Sequence, residues 1–174
     1  MKKTCRKFEI SGRYRLIIPV LLFFLLISHE IIAQEPPPRP LEVNLVQDMG
    51  FGAFTHGLVG GTISVDPSGV RSVTGDVILL NLGYTFSAAI FNLVAIPGTV
   101  ITIMFGADVS LPGSNGGSMT LHIGQSDPVS PFVMNTMPPS ATQLKVGGTL
   151  TVGNTAANPP GSYSGTFDIT FIQN

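Results

Sequence analysis

Residues 161–174 read GSYSGTFDITFIQN. Tyr163, Phe167, Ile169 and Phe171 share one parity, while serine, threonine and aspartate alternate with them. Successive side chains of a β-strand point to opposite faces, so this alternation predicts a strand with one apolar and one polar face. An apolar face of this kind has to be covered by the rest of the fold or by another molecule. The stretch therefore indicates a β fold whose last strand packs or assembles.

The first part of the sequence predicts export. Six basic residues precede or flank an unbroken apolar run, LIIPVLLFFLLI at 16–27, and Ala33 follows it closely. A basic start, an apolar run of about 7–15 residues and a small residue at the cut are typical of a secretory signal peptide. Spanning a bilayer takes roughly 20 apolar residues, so an uncleaved anchor is disfavoured. We predict a signal peptide over 1–33 and, after cleavage, an exported protein without a transmembrane segment, in the periplasm, at the cell surface or outside the cell.

The rest of the chain is acidic and lacks cysteine. After residue 33 there are three basic and eight acidic residues, a net charge of −5, and Cys5 lies in the predicted signal peptide. Three basic residues cannot form a basic patch, so nucleic acid is not expected as a partner. Without disulfides the domain depends on its hydrophobic core. We expect a stiff proline-rich spacer over 34–40 and a single domain over 41–174.

The pattern of this domain predicts an all-β fold. Short β-branched or aromatic runs alternate with glycine, proline, asparagine and aspartate, and no stretch has sustained helical periodicity. Such punctuation is typical of an immunoglobulin-like β-sandwich with Greek-key connections. We expect a turn at 66–69, a hairpin at 74–76, and a crossing between sheets along the proline-rich stretch 125–142. Three Gly-Gly pairs, at 60–61, 116–117 and 147–148, each predict a flexible turn that leads into a strand.

Candidate catalytic and metal-binding residues are few. His56 and His122 have no ligand spacing around them, the acidic residues fall mostly in turn positions, and no serine lies in a nucleophile motif. We therefore predict no enzymatic activity, no metal site and no cofactor. Met134 and Met137, in the long connection, leave two interpretations open: a core plug or an apolar binding patch.

The order of several motifs resembles a bacterial secreted family called domain of unknown function 4402. These motifs are Phe-Gly-x-Phe at 51–54, Gly-Gly-Thr-x-x-Val-Asp-Pro-x-Gly at 60–69, Gly-x-Val-x-Leu-Leu at 75–80, Phe-x-Leu-x-x-x-Pro-Gly at 91–98, a glycine-rich strand at 146–153 and Gly-x-Tyr-Ser-Gly-Thr-Phe-x-Ile-Thr at 161–170. The resemblance implies a short exported protein with an immunoglobulin-like sandwich. The family has no assigned activity, so it implies no catalytic residues.

The last strand is also similar to that of fimbrial (pilin-like) subunits, in which a glycine lies about fourteen residues from the end and aromatic residues follow. Gly161 occupies that position here. We therefore expect a non-enzymatic, exported structural or adhesive surface protein, a fimbria-like subunit that assembles by strand addition with itself or with other surface subunits. The alternative is a monomeric secreted module that binds a glycan or a protein. The candidate assembly residues are Leu41, Val43, Leu45, Tyr163, Phe167, Ile169 and Phe171.

Overall fold

A computed structural model of the protein describes residues 39–174. The predicted signal peptide, 1–33, and most of the predicted spacer lie outside the described residues. Within the described part the chain forms fourteen strands and no helix. In order they are β1 Glu42–Gln47, β2 Gly50–Phe51, β3 Ala53–His56, β4 Gly61–Val65, β5 Arg71–Val73, β6 Val77–Leu80, β7 Phe86–Ser87, β8 Ala89–Val94, β9 Val100–Phe105, β10 Val109–Pro112, β11 Ser118–Asp127, β12 Phe132–Val133, β13 Thr142–Val152 and β14 Ile169–Gln173.

The larger sheet is antiparallel and is organised around the long strand β13. Its main strand order is β1-β8-β13-β11-β10, and β4 and β5 join it through β13. The first half of β13 pairs with β8, from Thr142 to Val146, and the second half pairs with β4, from Gly148 to Val152. Along its other side β13 pairs with β11. One strand therefore holds three neighbours in a single sheet.

The smaller sheet has the order β12-β9-β14 and is also antiparallel. Its last strand begins well after residue 161, because only 169–173 form regular ladder pairs with β9. The preceding segment 161–168 follows β10 instead: Gly113 bridges to Tyr163, and the Ser114 amide donates to the Ser162 carbonyl. The end of the chain thus runs along both sheets.

Side chains from both sheets meet in one hydrophobic core, and the prediction of an all-β sandwich is confirmed. The most completely buried large side chains are Ile63, Leu93, Ile101, Met134 and Leu144. The predicted crossing is also confirmed, since the chain leaves β11, pairs briefly with β9 as β12, and returns to the larger sheet as β13.

The hairpin expected at 74–76 is wrong. β5 pairs with β4, across the predicted 66–69 turn, and β6 pairs with β3. The amides of Thr74 and Asp76 still bond to the carbonyls of Thr62 and Gly60, so the chain follows β4 beyond β5 before it turns away. Gly75 allows the turn because its φ is +70°, a left-handed value that costs glycine little.

The third Gly-Gly pair is not a turn either. Gly60 and both Gly116 and Gly117 have positive φ and lead into β4 and β11 as expected, but Gly147 and Gly148 lie inside β13. A Cβ on Gly147 would lie 2.7 Å from the Val65 carbonyl oxygen, and one on Gly148 would lie 2.8 Å from the Met49 sulfur. Glycine is needed here because neighbouring chain segments approach β13 closely where its partner changes from β8 to β4.

Candidate functional site

Strand β1 is an exposed edge strand. All six of its residues are exposed, including Val43 at 38%, Leu45 at 56% and Val46 at 55%. It pairs with β8 on one side, from Glu42 opposite Val94 onward, with a bulge between Leu45 and Gln47. Its other side pairs with no described strand. Because one side of β1 is unpaired and carries three exposed aliphatic side chains, this surface can bind another β-strand.

Strand β14 is the second edge. It pairs with β9, and its other side pairs with no strand among residues 39–174. The alternation seen in the sequence is present in the structure, since Phe167, Ile169 and Phe171 are half-buried and the polar residues between them are exposed. Phe171 packs edge to face on Phe91 of β8, with ring centroids 5.8 Å apart and a 63° angle between the rings. This contact joins the two sheets beneath the open edges.

An open cleft lies between these two edge strands. Its volume is about 390 Å³, and its apolar lining consists of Val43, Leu45, Phe91, Phe167, Ile169 and Phe171, with Asp168 beside them. Gln173 spans one end: its side-chain oxygen accepts from the Leu41 amide at 2.9 Å, and its side-chain nitrogen donates to the Arg39 carbonyl at 3.3 Å. We call this feature the edge cleft.

The edge cleft brings together five of the seven candidate residues. Val43 and Leu45 line it from β1, and Phe167, Ile169 and Phe171 line it from the end of the chain. Leu41 lies at the end that Gln173 spans. Tyr163 is elsewhere: it lies against Gly113, and its hydroxyl donates to the Pro159 carbonyl at 2.7 Å. Phe91 was not among the candidates, because it lies in a strand that is apolar at nearly every position and has no alternation to single it out.

The remaining sheet edges are protected. β5 has three residues and β12 has two, which leaves little edge for pairing. β10 ends in Pro112, and the 161–168 segment runs along it. Short strands, proline and a covering segment are the usual means by which proteins prevent edge-to-edge association. Among the edges of the two main sheets in the described chain, β14 carries none of these protections, and β1 has a bulge between Leu45 and Gln47 but is six residues long and uncovered on its outer side.

One charged residue of the described chain, Asp168, lines the edge cleft, on the β14 side. Glu42 lies exposed on β1, and Arg39 lies at the end that Gln173 spans. Arg71 is committed elsewhere: its guanidinium donates to the Phe51 and Ala53 carbonyls and lies 4.3 Å from the Phe86 ring centre. No basic side chain of residues 39–174 lines the cleft. An incoming segment therefore meets an apolar floor with one carboxylate, that of Asp168, at its rim.

The histidines have local partners. His122 is exposed, and its Nδ1 lies 2.6 Å from an Asp108 carboxylate oxygen. His56 is half-buried, and its Nε2 lies 3.0 Å from the Asn158 carbonyl oxygen. No three histidine, cysteine or acidic side chains within 39–174 come together as a possible metal site. These histidines are accounted for by an exposed hydrogen bond to Asp108 and a loop contact.

A second depression, of about 420 Å³, lies beside the bulge in β11. Its hydroxyl groups are occupied: Ser130 Oγ accepts from the Ile103 amide at 2.8 Å, and Ser126 Oγ donates to the Pro128 carbonyl at 2.9 Å. The depression therefore offers few free polar groups for a ligand.

The fold and the edge cleft define a class of protein: an all-β sandwich with two uncovered edge strands on either side of an apolar cleft. Residues 41–172 match the family described as "Domain of unknown function (DUF4402)", and the chain belongs to this family. No curated protein and no solved structure matches the chain. In the described part no helix is long and apolar enough to cross a membrane.

Proposed function

We propose that this protein is an exported, non-enzymatic structural or adhesive surface protein, a fimbria-like subunit that joins other subunits by addition of β-strands. The observation that supports this most directly is β1, the first strand of the described chain, which is fully exposed and pairs with β8 alone. Without β1, the β8 edge would offer unpaired backbone N–H and C=O groups, and Phe91 on β8 would offer apolar surface for alternate side chains. Together these are the two components of recognition by strand addition.

The donated strand in this proposal is β1. It is held to its own molecule by the ladder with β8, by the Gln47 side chain on the Ala88 carbonyl, and by Gln173 at its start. A neighbour's β1 can form the same contacts with β8. Each subunit then gives one strand and receives another, and such a head-to-tail contact propagates along a fibre. The predicted spacer before β1 would give the strand reach.

The test compares the mature chain with a chain that lacks residues 34–47. Size-exclusion chromatography and electron microscopy of the full mature chain should show assemblies, and the shortened chain should fold but fail to assemble. A peptide of residues 41–47 should bind the shortened chain at the vacated β8 edge. A peptide with lysine in place of Val43 and Leu45 is the matched control, and it should bind poorly because its cationic side chains would have to enter the apolar cleft.

Two results would contradict the proposal. A shortened chain that is stable and assembles as before would show that β1 is not the connection. A mature chain that stays monomeric at high concentration would favour the alternative, a secreted module that binds a glycan or a protein. Export itself is tested by N-terminal sequencing of the secreted material, which should begin at Gln34 or within a few residues of it.

A further inference from the structure

We infer that the edge cleft binds an extended segment of a different protein, with apolar side chains on one face and lysine or arginine on the other. This goes beyond the proposed function, because it holds whether β1 comes from the same molecule or from a neighbour. In both cases β1 occupies its place beside β8, and the cleft between β1 and β14 stays open.

The unpaired sides of β1 and β14 provide backbone groups with which an added strand can pair. β1 pairs only with β8 and β14 only with β9, so each strand has one unpaired side. In an antiparallel or parallel ladder an added strand uses these unpaired N–H and C=O groups. The other main-sheet edges of the described chain are short or covered. An added strand is therefore expected to pair with β1 or β14.

The floor of the cleft selects apolar side chains. The cleft has a volume of about 390 Å³, and six apolar side chains line it. Val43 and Leu45 remain 38% and 56% exposed beside this space. An added strand that points every second side chain into the cleft would cover both residues and remove their apolar surface from solvent.

The rim selects positive charge on the other face of the added strand. Asp168 alternates with Phe167 and Ile169, so its side chain lies on the outer face of the terminal segment. Its carbonyl accepts from the Gly106 amide, whereas its exposed carboxylate has no hydrogen-bond or ion-pair partner within 39–174. Opposite charges on adjacent strands attract across a sheet face, and like charges repel.

A second copy of this chain does not have the required segment. Of the three basic residues in 39–174, Arg71 is fixed over Phe86, and Lys145 lies in β13, which has strands on both sides. Arg39 is followed by Pro40, which cannot donate a backbone hydrogen bond to a ladder. Two strands of the described chain have alternating apolar residues and an unpaired edge. β1 carries Glu42, which would place a carboxylate near Asp168, and β14 carries no lysine or arginine. The charge pattern therefore favours a basic partner over a second copy.

The experiment uses the full mature chain and three peptides in calorimetric titrations. Two nine-residue peptides share alternating valine and leucine positions and differ only in whether lysine or glutamate fills the positions between them. The third peptide has residues 41–47 of this chain. We expect the lysine peptide to bind, more weakly as salt increases, and both other peptides to bind at least about fivefold more weakly.

Two matched pairs of variants locate the binding. Asp168→Asn should weaken binding of the lysine peptide by up to about fivefold, whereas Asp127→Asn, the same charge change at the exposed last position of β11, should not. Leu45→Gln should weaken binding of all apolar peptides, whereas Val46→Gln, at the neighbouring exposed position outside the cleft lining, should not. Circular dichroism checks that each variant is folded.

The inference is wrong if the lysine peptide does not bind, if the glutamate peptide binds equally well, or if the variants of Asp168 and Leu45 behave like their controls. A residue 41–47 peptide that binds more tightly than the lysine peptide would identify a second copy as the occupant instead. None of these outcomes depends on assembly by β1, which the chromatography and microscopy measure separately.

Discussion

Met134 and Met137 lie three residues apart in the long connection and have opposite environments. Met134 is completely buried in the core shared by the two sheets, whereas Met137 is 70% exposed. The core-plug interpretation is therefore confirmed for Met134. The amides and carbonyls around it anchor the loop, since the Met134 amide donates to the Thr99 carbonyl and its carbonyl accepts from Gly98.

Met134→Ala should lower the free energy of unfolding by about 2–5 kcal/mol, because the substitution leaves a cavity in a packed core. Met137→Ala should change it by less than about 0.5 kcal/mol, since an exposed side chain loses little on truncation. Urea unfolding of both variants measures the difference. Equal effects at the two positions would show that the loop does not pack on the core as described.

Asp76 links stability to pH. Its carboxylate accepts from the Val59 amide at 2.8 Å, and this hydrogen bond lowers the pKa of Asp76 below its ordinary value of 3.8. The pKa of Asp66 is lowered as well, first by the Ser68 hydroxyl and then by the Val70 amide. A lowered pKa in the folded state means that the unfolded chain binds protons first as the pH falls.

We therefore expect stability from Asp76 to be present above about pH 4 and to be lost as the pH falls through its folded-state pKa. Asp76→Asn keeps an acceptor for the Val59 amide but cannot titrate, so its urea midpoint should depend less on pH between about 5 and 2. Asp48→Asn is the control, because this exposed carboxylate accepts no hydrogen bond within the described residues. Identical pH profiles for wild type and Asp76→Asn would contradict the assignment.

At the level of elements, strand β13 combines alternating buried residues with two glycines that neighbouring segments approach closely. Its apolar residues Leu144, Val146, Leu150 and Val152 are buried, as a period of two predicts. Between them Gly147 and Gly148 admit β4 and the Met49 side chain at distances that a Cβ would not allow. The same dipeptide that is a turn at 116–117 is therefore part of a strand interior here.

Gly147→Ala should lower the free energy of unfolding by about 1–3 kcal/mol, because the new Cβ would meet the Val65 backbone oxygen and the Pro67 ring. Gly124→Ala is the matched control in the neighbouring strand β11. Its Cβ would meet only the end of the His122 side chain, which is exposed and can move. Thermal and urea unfolding should show a near-neutral effect for Gly124→Ala, and a cost there as large as that at Gly147 would refute the packing argument.

At the level of the whole molecule the two terminal strands have unequal roles. Residues on β14 and just before it are half-buried and pack on the core, and the 161–168 segment runs along β10. All residues of β1 are exposed. The end of the described chain therefore connects both sheets, whereas its beginning adds one edge to one sheet.

A chain that ends at Asp168 should lose cooperative unfolding, because it lacks the ladder of β14 with β9 and the Phe171 contact with Phe91. A chain that begins at Asp48 should stay folded with a lower melting temperature. Calorimetry of both truncations measures this difference. A protein that unfolds on loss of β1 but stays folded without β14 would contradict these unequal roles.

The sequence determines the local features of this protein, and each can be traced to particular residues. Alternation predicted the half-buried face of Phe167, Ile169 and Phe171, and Asp66-Pro67-Ser68-Gly69 predicted the turn between β4 and β5. These features depend on neighbours within a few positions, because the direction of a side chain and the geometry of a turn are set by the local backbone.

The tertiary structure alone decided which strands pair and what the apolar faces contact. Alternation shows that Val43 and Leu45 share a face with each other, and that Phe167 and Phe171 share another, but not that the two faces meet across one cleft with Phe91 beneath them. It also could not show that β5 pairs with β4 or that Gly147 lies inside a strand. Strand partners lie up to about ninety residues apart, as Gly61 and Val152 do. Their choice depends on the packing of the entire core, which no local pattern contains.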